Sequence, residues 1–187
     1  MELPILFLMP FGLVLLVGII VISIYNGLVN KRNMVRNAFS TIDVMLKKRH
    51  DLIPNLVETV KGFAAHEKET FERVIELRNQ ARTMSLSDSG RIEIEKQIGP
   101  QVDRLIAVAE SYPELRSSDQ FLNLQRNLTE IEEQISAARR AYNGAVMEIN
   151  NSVESFPGNI IASKFGFSRH DFFEGDSESR KSISVDL

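Results

Sequence analysis

From Leu3 to Asn30 the chain carries no charged side chain, and the middle of that stretch reads LFLMPFGLVLLVGIIVISIY. An α-helix needs about 20 apolar residues to cross a hydrocarbon core about 30 Å thick. The stretch therefore restricts the chain to folds in which its amino-terminal end meets a bilayer. A secretory signal would place basic residues ahead of a shorter apolar run and a small-residue cleavage site after it. Here Glu2 follows Met1, and the run closes on Tyr25-Asn26-Gly27-Leu28 without such a site. A buried core helix is normally shorter. Pro4 stands at the start, where a missing N–H costs nothing; Pro10 lies inside and either kinks the helix or begins its regular part. Nothing after Asn30 resembles this stretch, so one crossing is expected.

Lys31, Arg32 and Arg36 follow the apolar run directly, with Lys47, Lys48 and Arg49 further on, while the leading side offers only the amino terminus and Glu2. Positive charge beside a crossing tends to stay in the cytoplasm. The expected orientation puts the amino terminus outside and the rest of the chain inside.

Residues 31–187 amount to one domain, rich in the straight-chain helix formers Glu, Arg, Gln and Leu. The absence of Cys excludes a disulfide framework and thiolate metal sites. A net charge of -3, with no sustained basic stripe, gives no reason to expect a nucleic-acid partner.

Periodicity predicts four helical segments. The first spans about 28–49, with Val35, Phe39, Ile42 and Leu46 at steps of three and four, and continues the apolar helix. Asp51 then offers a cap and Pro54 a first-turn position for a second helix over 52–84. Two such long helices are hard to fit side by side, and a chain that passes through Pro54 and turns near Gly62 relieves the mismatch; both readings stay open. Ser85–Gly90 (SLSDSG) reads as a loop. The third helix covers about 91–112, with the breaker Gly99-Pro100 inside it and Tyr112-Pro113 at its end.

The fourth is the clearest. Phe121, Leu124, Leu128, Ile131, Ile135, Ala138, Tyr142, Ala145, Ile149 and Phe156 follow a heptad stripe that implies a supercoiled seam against partner helices, before Pro157-Gly158 stops it. Short connections favour antiparallel neighbours over a long two-stranded coiled coil. The expected fold is all-α: a transmembrane anchor over 1–30, an antiparallel up-and-down four-helix bundle over 31–158, and a tail over 159–187. The tail mixes apolar patches with polar residues. In an anchored bundle, Ile160, Ile161, Phe165, Phe167, Phe172 and Phe173 fall beside the membrane, there to touch the bilayer surface or to cover the bundle's end. Residues from about Asp176 have the composition of a disordered segment.

The sequence offers little chemistry. Di-iron bundles use Glu-x-x-His, but the residues three before His50, His66 and His170 are Lys47, Phe63 and Phe167. His66-Glu67 opens a zinc-protease signature whose second His position holds Thr70. No Gly-rich phosphate loop and no Gly-x-Ser-x-Gly elbow occurs. No catalytic, metal or cofactor-binding residue is expected. Asn143, Asn150 and Asn151 form a polar run on the fourth helix, equally consistent with a contact surface and with solvent exposure.

The segment RHDLIPNLVETVKGFAAHEKETFERVIELRNQAR (49–82), the long stretch from Arg104 to Phe167 and the terminal DFFE (171–174) together resemble the LemA family over nearly the whole chain. The resemblance implies a single-pass bacterial membrane protein with an antiparallel four-helix bundle, and brings no catalytic residues. One branch of that family is similar to a protein associated with magnetosome membranes; other members are encoded beside membrane metalloproteases or TPM-domain proteins. Gly99-Pro100 departs from the family's usual pattern.

The leading functional expectation is a scaffold or interaction module in the cytoplasmic membrane, without catalysis, that binds an envelope protein partner or further copies of itself. Ser23 and Gly27 have the four-residue spacing that lets membrane helices approach closely, although such pairs are usually incidental. The alternative is a lipid-binding, membrane-shaping protein that works through Lys31, Arg32 and Arg36 and the tail phenylalanines.

Overall fold

The structure, a computed structural model, describes residues 3–64, 67–85 and 89–173. Every regular element among them is a helix: α1 (Leu3–Lys61), α2 (Lys68–Thr83), α3 (Ser89–Glu110), α4 (Pro113–Arg116), α5 (Asp119–Glu154) and α6 (Gly158–Phe165). His66 and the residues from Asp176 onward lie outside the described residues.

α1 does not end at Arg49. It runs through Pro54 and stops at Gly62, where the Phe63 and Ala64 N–H groups both turn back to the Val60 carbonyl at 3.0 Å. A proline in a helix interior removes one N–H, here orphaning the carbonyl of His50 four residues earlier. The structure fills that vacancy from another helix: Arg78 Nε of α2 donates to the His50 oxygen at 2.7 Å. A tertiary contact thus cancels the break that the sequence announces. α3 likewise runs through Pro100. The residue before a proline resists the helical region because its Cβ meets the ring, and Gly99 has no Cβ. The second expected helix is accordingly divided: 52–61 completes α1, and 68–83 forms α2. α4 was not anticipated; it buries Leu115 just after the Tyr112-Pro113 stop.

The described chain forms two compact units, 41–137 and 3–40 with 138–173. In the first, a single core gathers Ile53, Leu56 and Val60 of α1, Phe71, Val74 and Leu77 of α2, Ile98, Val102 and Leu105 of α3, Leu115 of α4, and Phe121, Leu124 and Leu128 of α5. α1, α2, α3 and α5 each supply an apolar stripe at steps of three and four, and α4 adds Leu115, which is why these helices can share one interior.

In the second unit α1 lies against α5 along Val35, Ala145, Val146 and Ile149. Nearer the amino terminus α6 packs on α1: Ile161, Ala162 and Phe167 close over Leu28, with Val21, Ile24 and Val29 around them. Gly158 is required at the start of α6, because a Cβ there would overlap the Ser152 carbonyl oxygen. Gly166 ends α6 in the left-handed region (φ 72°), where its missing side chain removes the strain, and the Phe167 N–H closes the helix on the Ala162 carbonyl at 2.9 Å.

Candidate functional site

Phe11, Val14 and Ile22 of α1 are 69, 71 and 61 % exposed, and Leu13, Leu15, Leu16, Val17 and Ile19 are exposed with them. These residues cover every face of the helix. A soluble helix keeps its apolar residues on one stripe, so this part of α1 has the surface of a helix solvated by lipid, and it is long and apolar enough to cross a membrane.

Beyond it stand the cationic side chains. Lys31 Nζ donates to Ser152 Oγ at 2.6 Å and lies 3.6 Å from Glu148. The Arg32 guanidinium covers the Phe167 ring at 5.0 Å, and Arg36 is exposed. The six apolar tail residues divide. Ile161, Phe167 and Phe173 turn into the protein and are buried; Ile160, Phe165 and Phe172 stay about half exposed. Tyr25 meets Phe165 and Phe167 edge-on at 5.0 and 5.8 Å.

The segment after Gly166 has no regular secondary structure and is held by side-chain amides of α5. The His170 N–H donates to Asn150 Oδ1 and Asn150 Nδ2 donates to the His170 carbonyl, both at 2.9 Å. Asn143 grips Phe173 in the same way, at 2.7 and 2.9 Å. Seven helical residues rise about 10.5 Å, and three extended residues span about 10 Å. The heptad spacing of the two asparagines thus matches the three-residue spacing of the backbone they hold. Tyr142 adds a hydrogen bond to the Asp171 carbonyl, and the Phe173 ring lies between Tyr142 and the Arg139 guanidinium. Burial, with Asp171 nearby, pushes the Tyr142 phenol above its usual range.

The unit of residues 41–137 contains a buried ionic cluster that the sequence reading missed. Glu95 of α3, only 1 % exposed, is its centre. Arg49 Nη2 donates to Glu95 Oε2 at 2.6 Å, and Arg49 Nη1 to Glu132 of α5 at 2.8 Å. His50 Nε2 lies 3.1 and 3.2 Å from the two carboxylate oxygens of Glu95. Arg91 approaches at 3.5 Å and reaches Asp43 at 3.0 Å. Burial alone would raise the Glu95 carboxyl, but the His50 hydrogen bond and the Arg49 charge outweigh it and hold the group below the usual carboxylate range. At Asp103, burial and then Glu132 push the carboxyl up, partly offset by Arg49.

A carboxylate so held is ionised and has its lone pairs engaged by three donors. It ties α1 to α3, and through Arg49 to α5, in a single register. The signal was present in the spacing. Arg49 continues the α1 stripe of Ile42, Leu46, Ile53, Leu56 and Val60, and Arg91 and Glu95 continue the α3 stripe of Ile98, Val102, Leu105 and Ala109. A charge on an apolar stripe is buried only if it is paired. Among the described residues no three His, Asp or Glu side chains converge as metal ligands.

These features define a class: an all-helical protein with one apolar helix of membrane-crossing length among its described residues, its interior charges paired with one another. The model of the LemA family matches residues 38–187, and the chain belongs to that family. The protein LemA of Metamycoplasma hominis is 23 % identical, over 86 % of this chain and 73 % of its own length. Magnetosome protein MamQ 2 of Paramagnetospirillum magneticum is 25 % identical, and magnetosome protein MamQ of Magnetospirillum gryphiswaldense 23 %, each over 80 % of this chain. The chain spans 64 % of the length of these two magnetosome proteins.

Proposed function

We propose that the protein is a membrane-anchored scaffold, a helical module that holds an envelope protein partner or further copies of itself at the bilayer and carries out no catalysis. The observation that supports this most is the continuity of α1. The helix whose apolar side chains are exposed on all faces near its start is the same helix that supplies Ile53, Leu56 and Val60 to a packed core. The protein's buried titratable groups neutralise one another in the Arg49–Glu95–His50 cluster, and the LemA family is not a known enzyme family.

In this reading the four segments of the first core act as an antiparallel up-and-down bundle. The membrane is the bacterial cytoplasmic membrane, and Lys31, Arg32 and Arg36 keep the bundle on the cytoplasmic side. Anchoring raises the effective concentration of weak contacts. Cross-linking in native membranes, from photoreactive residues at exposed Leu122 and Met147, is expected to give reproducible neighbours. Monomers alone would contradict the scaffold.

The second reading, a protein that acts on the lipid itself, is favoured by the outward exposure of Ile160 and Phe165 beside the apolar part of α1.

A further inference from the structure

We propose that α6, with Phe156 ahead of it, is a wedge seated in one leaflet of the bilayer, its occupant the acyl-chain region of phospholipid. The inference rests on the reading that α1 crosses the membrane, and it follows from depth. α6 packs on Val21, Ile24, Leu28 and Val29, all within the uncharged stretch that ends at Asn30. Tyr25, which meets Phe165 edge-on at 5.0 Å, stands six residues before Lys31, the first cationic side chain. At 1.5 Å per residue that is about 9 Å along α1, within the roughly 5–10 Å to which interfacial helices sink their apolar side. A bilayer that covers Ile22 and ends at Lys31 therefore also covers α6.

The surface of α6 fits that place. Phe156 is 80 % exposed, more than Val14 of α1 at 71 %, and Ile160 and Phe165 are 57 and 51 % exposed. Phe156 also frames, with Ile24, Gly27 and Leu28, a shallow and mainly apolar recess of about 270 Å³ that has Lys31 at its rim. Backbone polar groups that enter lipid must be paired within the protein. Here the Asn159 and Ile160 N–H groups bond to the Ser155 and Pro157 carbonyls, and the Phe167 N–H bonds to that of Ala162. Lys164 is exposed on a stem long enough to reach the headgroups. The segment after Gly166 leaves the membrane. Phe173 meets Tyr142, which meets Phe39, eight residues or about 12 Å beyond Lys31. Phe172 is thus on the water side.

The chain has no Trp, so a single introduced Trp reports its surroundings without background. Full-length variants Ile22→Trp, Phe156→Trp, Phe165→Trp and Phe172→Trp are reconstituted into phosphatidylcholine–phosphatidylglycerol vesicles, with and without bromine at mid-chain of the acyl groups. The expected result is loss of most emission, with a blue-shifted maximum, at positions 22, 156 and 165, and little loss at 172. Quenching at 22 with none at 156 and 165 would overturn the wedge and leave the anchor standing. Blue-shifted but unquenched emission at 156 and 165 would show that protein, not lipid, covers them, and would also overturn it. Absence of quenching at 22 would remove the anchor itself. Phe156→Trp guards against misfolding, because that side chain is the least packed of the four.

Discussion

Arg78 carries the clearest quantitative consequence of the fold. Its Nε–H donates to the carbonyl that Pro54 leaves without a helical partner, at 2.7 Å. A hydrogen bond from a charged donor is worth about 1.5–3 kcal/mol, and an unsatisfied acceptor costs about 1–3 kcal/mol. Arg78→Met is therefore expected to destabilise the chain by about 1–3 kcal/mol, where each kcal/mol lowers Tm by roughly 2–4 °C at this size. Pro54→Ala restores an N–H to the same carbonyl and removes an interior proline, unfavourable by about 3 kcal/mol relative to Ala. In the Pro54→Ala background, then, Arg78→Met should cost only a few tenths of a kcal/mol, giving a coupling of about 1–2 kcal/mol, inside the range of contacting pairs. Urea unfolding of the four full-length proteins in mild detergent, followed by far-ultraviolet circular dichroism, measures it. An equal cost of Arg78→Met in both backgrounds would refute the claim that Arg78 is what lets α1 pass Pro54.

Glu95 has a depressed folded-state pKa, so its contribution to stability is present above the unfolded value and is lost as pH falls through the folded one. Unfolding midpoints measured from neutral to acid pH should fall, and Glu95→Gln should flatten that slope while costing about 3–5 kcal/mol at neutral pH, since Arg49 keeps only Glu132 as a carboxylate partner and His50 loses the carboxylate it faces. Asn143→Ala removes both bonds to Phe173; hydrogen exchange should accelerate at the Phe173 amide while the His170 amide, held by Asn150, stays protected. Gly158→Ala places a Cβ on the Ser152 carbonyl and should destabilise the chain by about 1–3 kcal/mol, read as a lower thermal midpoint.

The apolar anchor, the all-helical class and the long heptad stripe of α5 were legible because each is a local pattern in one stretch of chain. The passage through Pro54 was one of two open readings and could not be chosen from the sequence, because what supports it is a side chain from α2 that no local rule connects to His50. The ionic cluster was half legible: Arg49 and Glu95 break their stripes visibly, yet their pairing needs α1 and α3 side by side. Asn143 and Asn150 were noticed without their ligand, since a backbone held by amides leaves no mark on the sequence of the held segment. The tail phenylalanines had to be divided by the fold. Phe165 and Phe167 are two residues apart, yet the left-handed turn at Gly166 leaves one exposed and buries the other.

The central claim is that α1 anchors a helical module to a bilayer. Alkaline carbonate extraction of native membranes tests it most directly. The full-length chain is expected to stay in the membrane pellet, and its release as intact polypeptide into the wash would contradict the account.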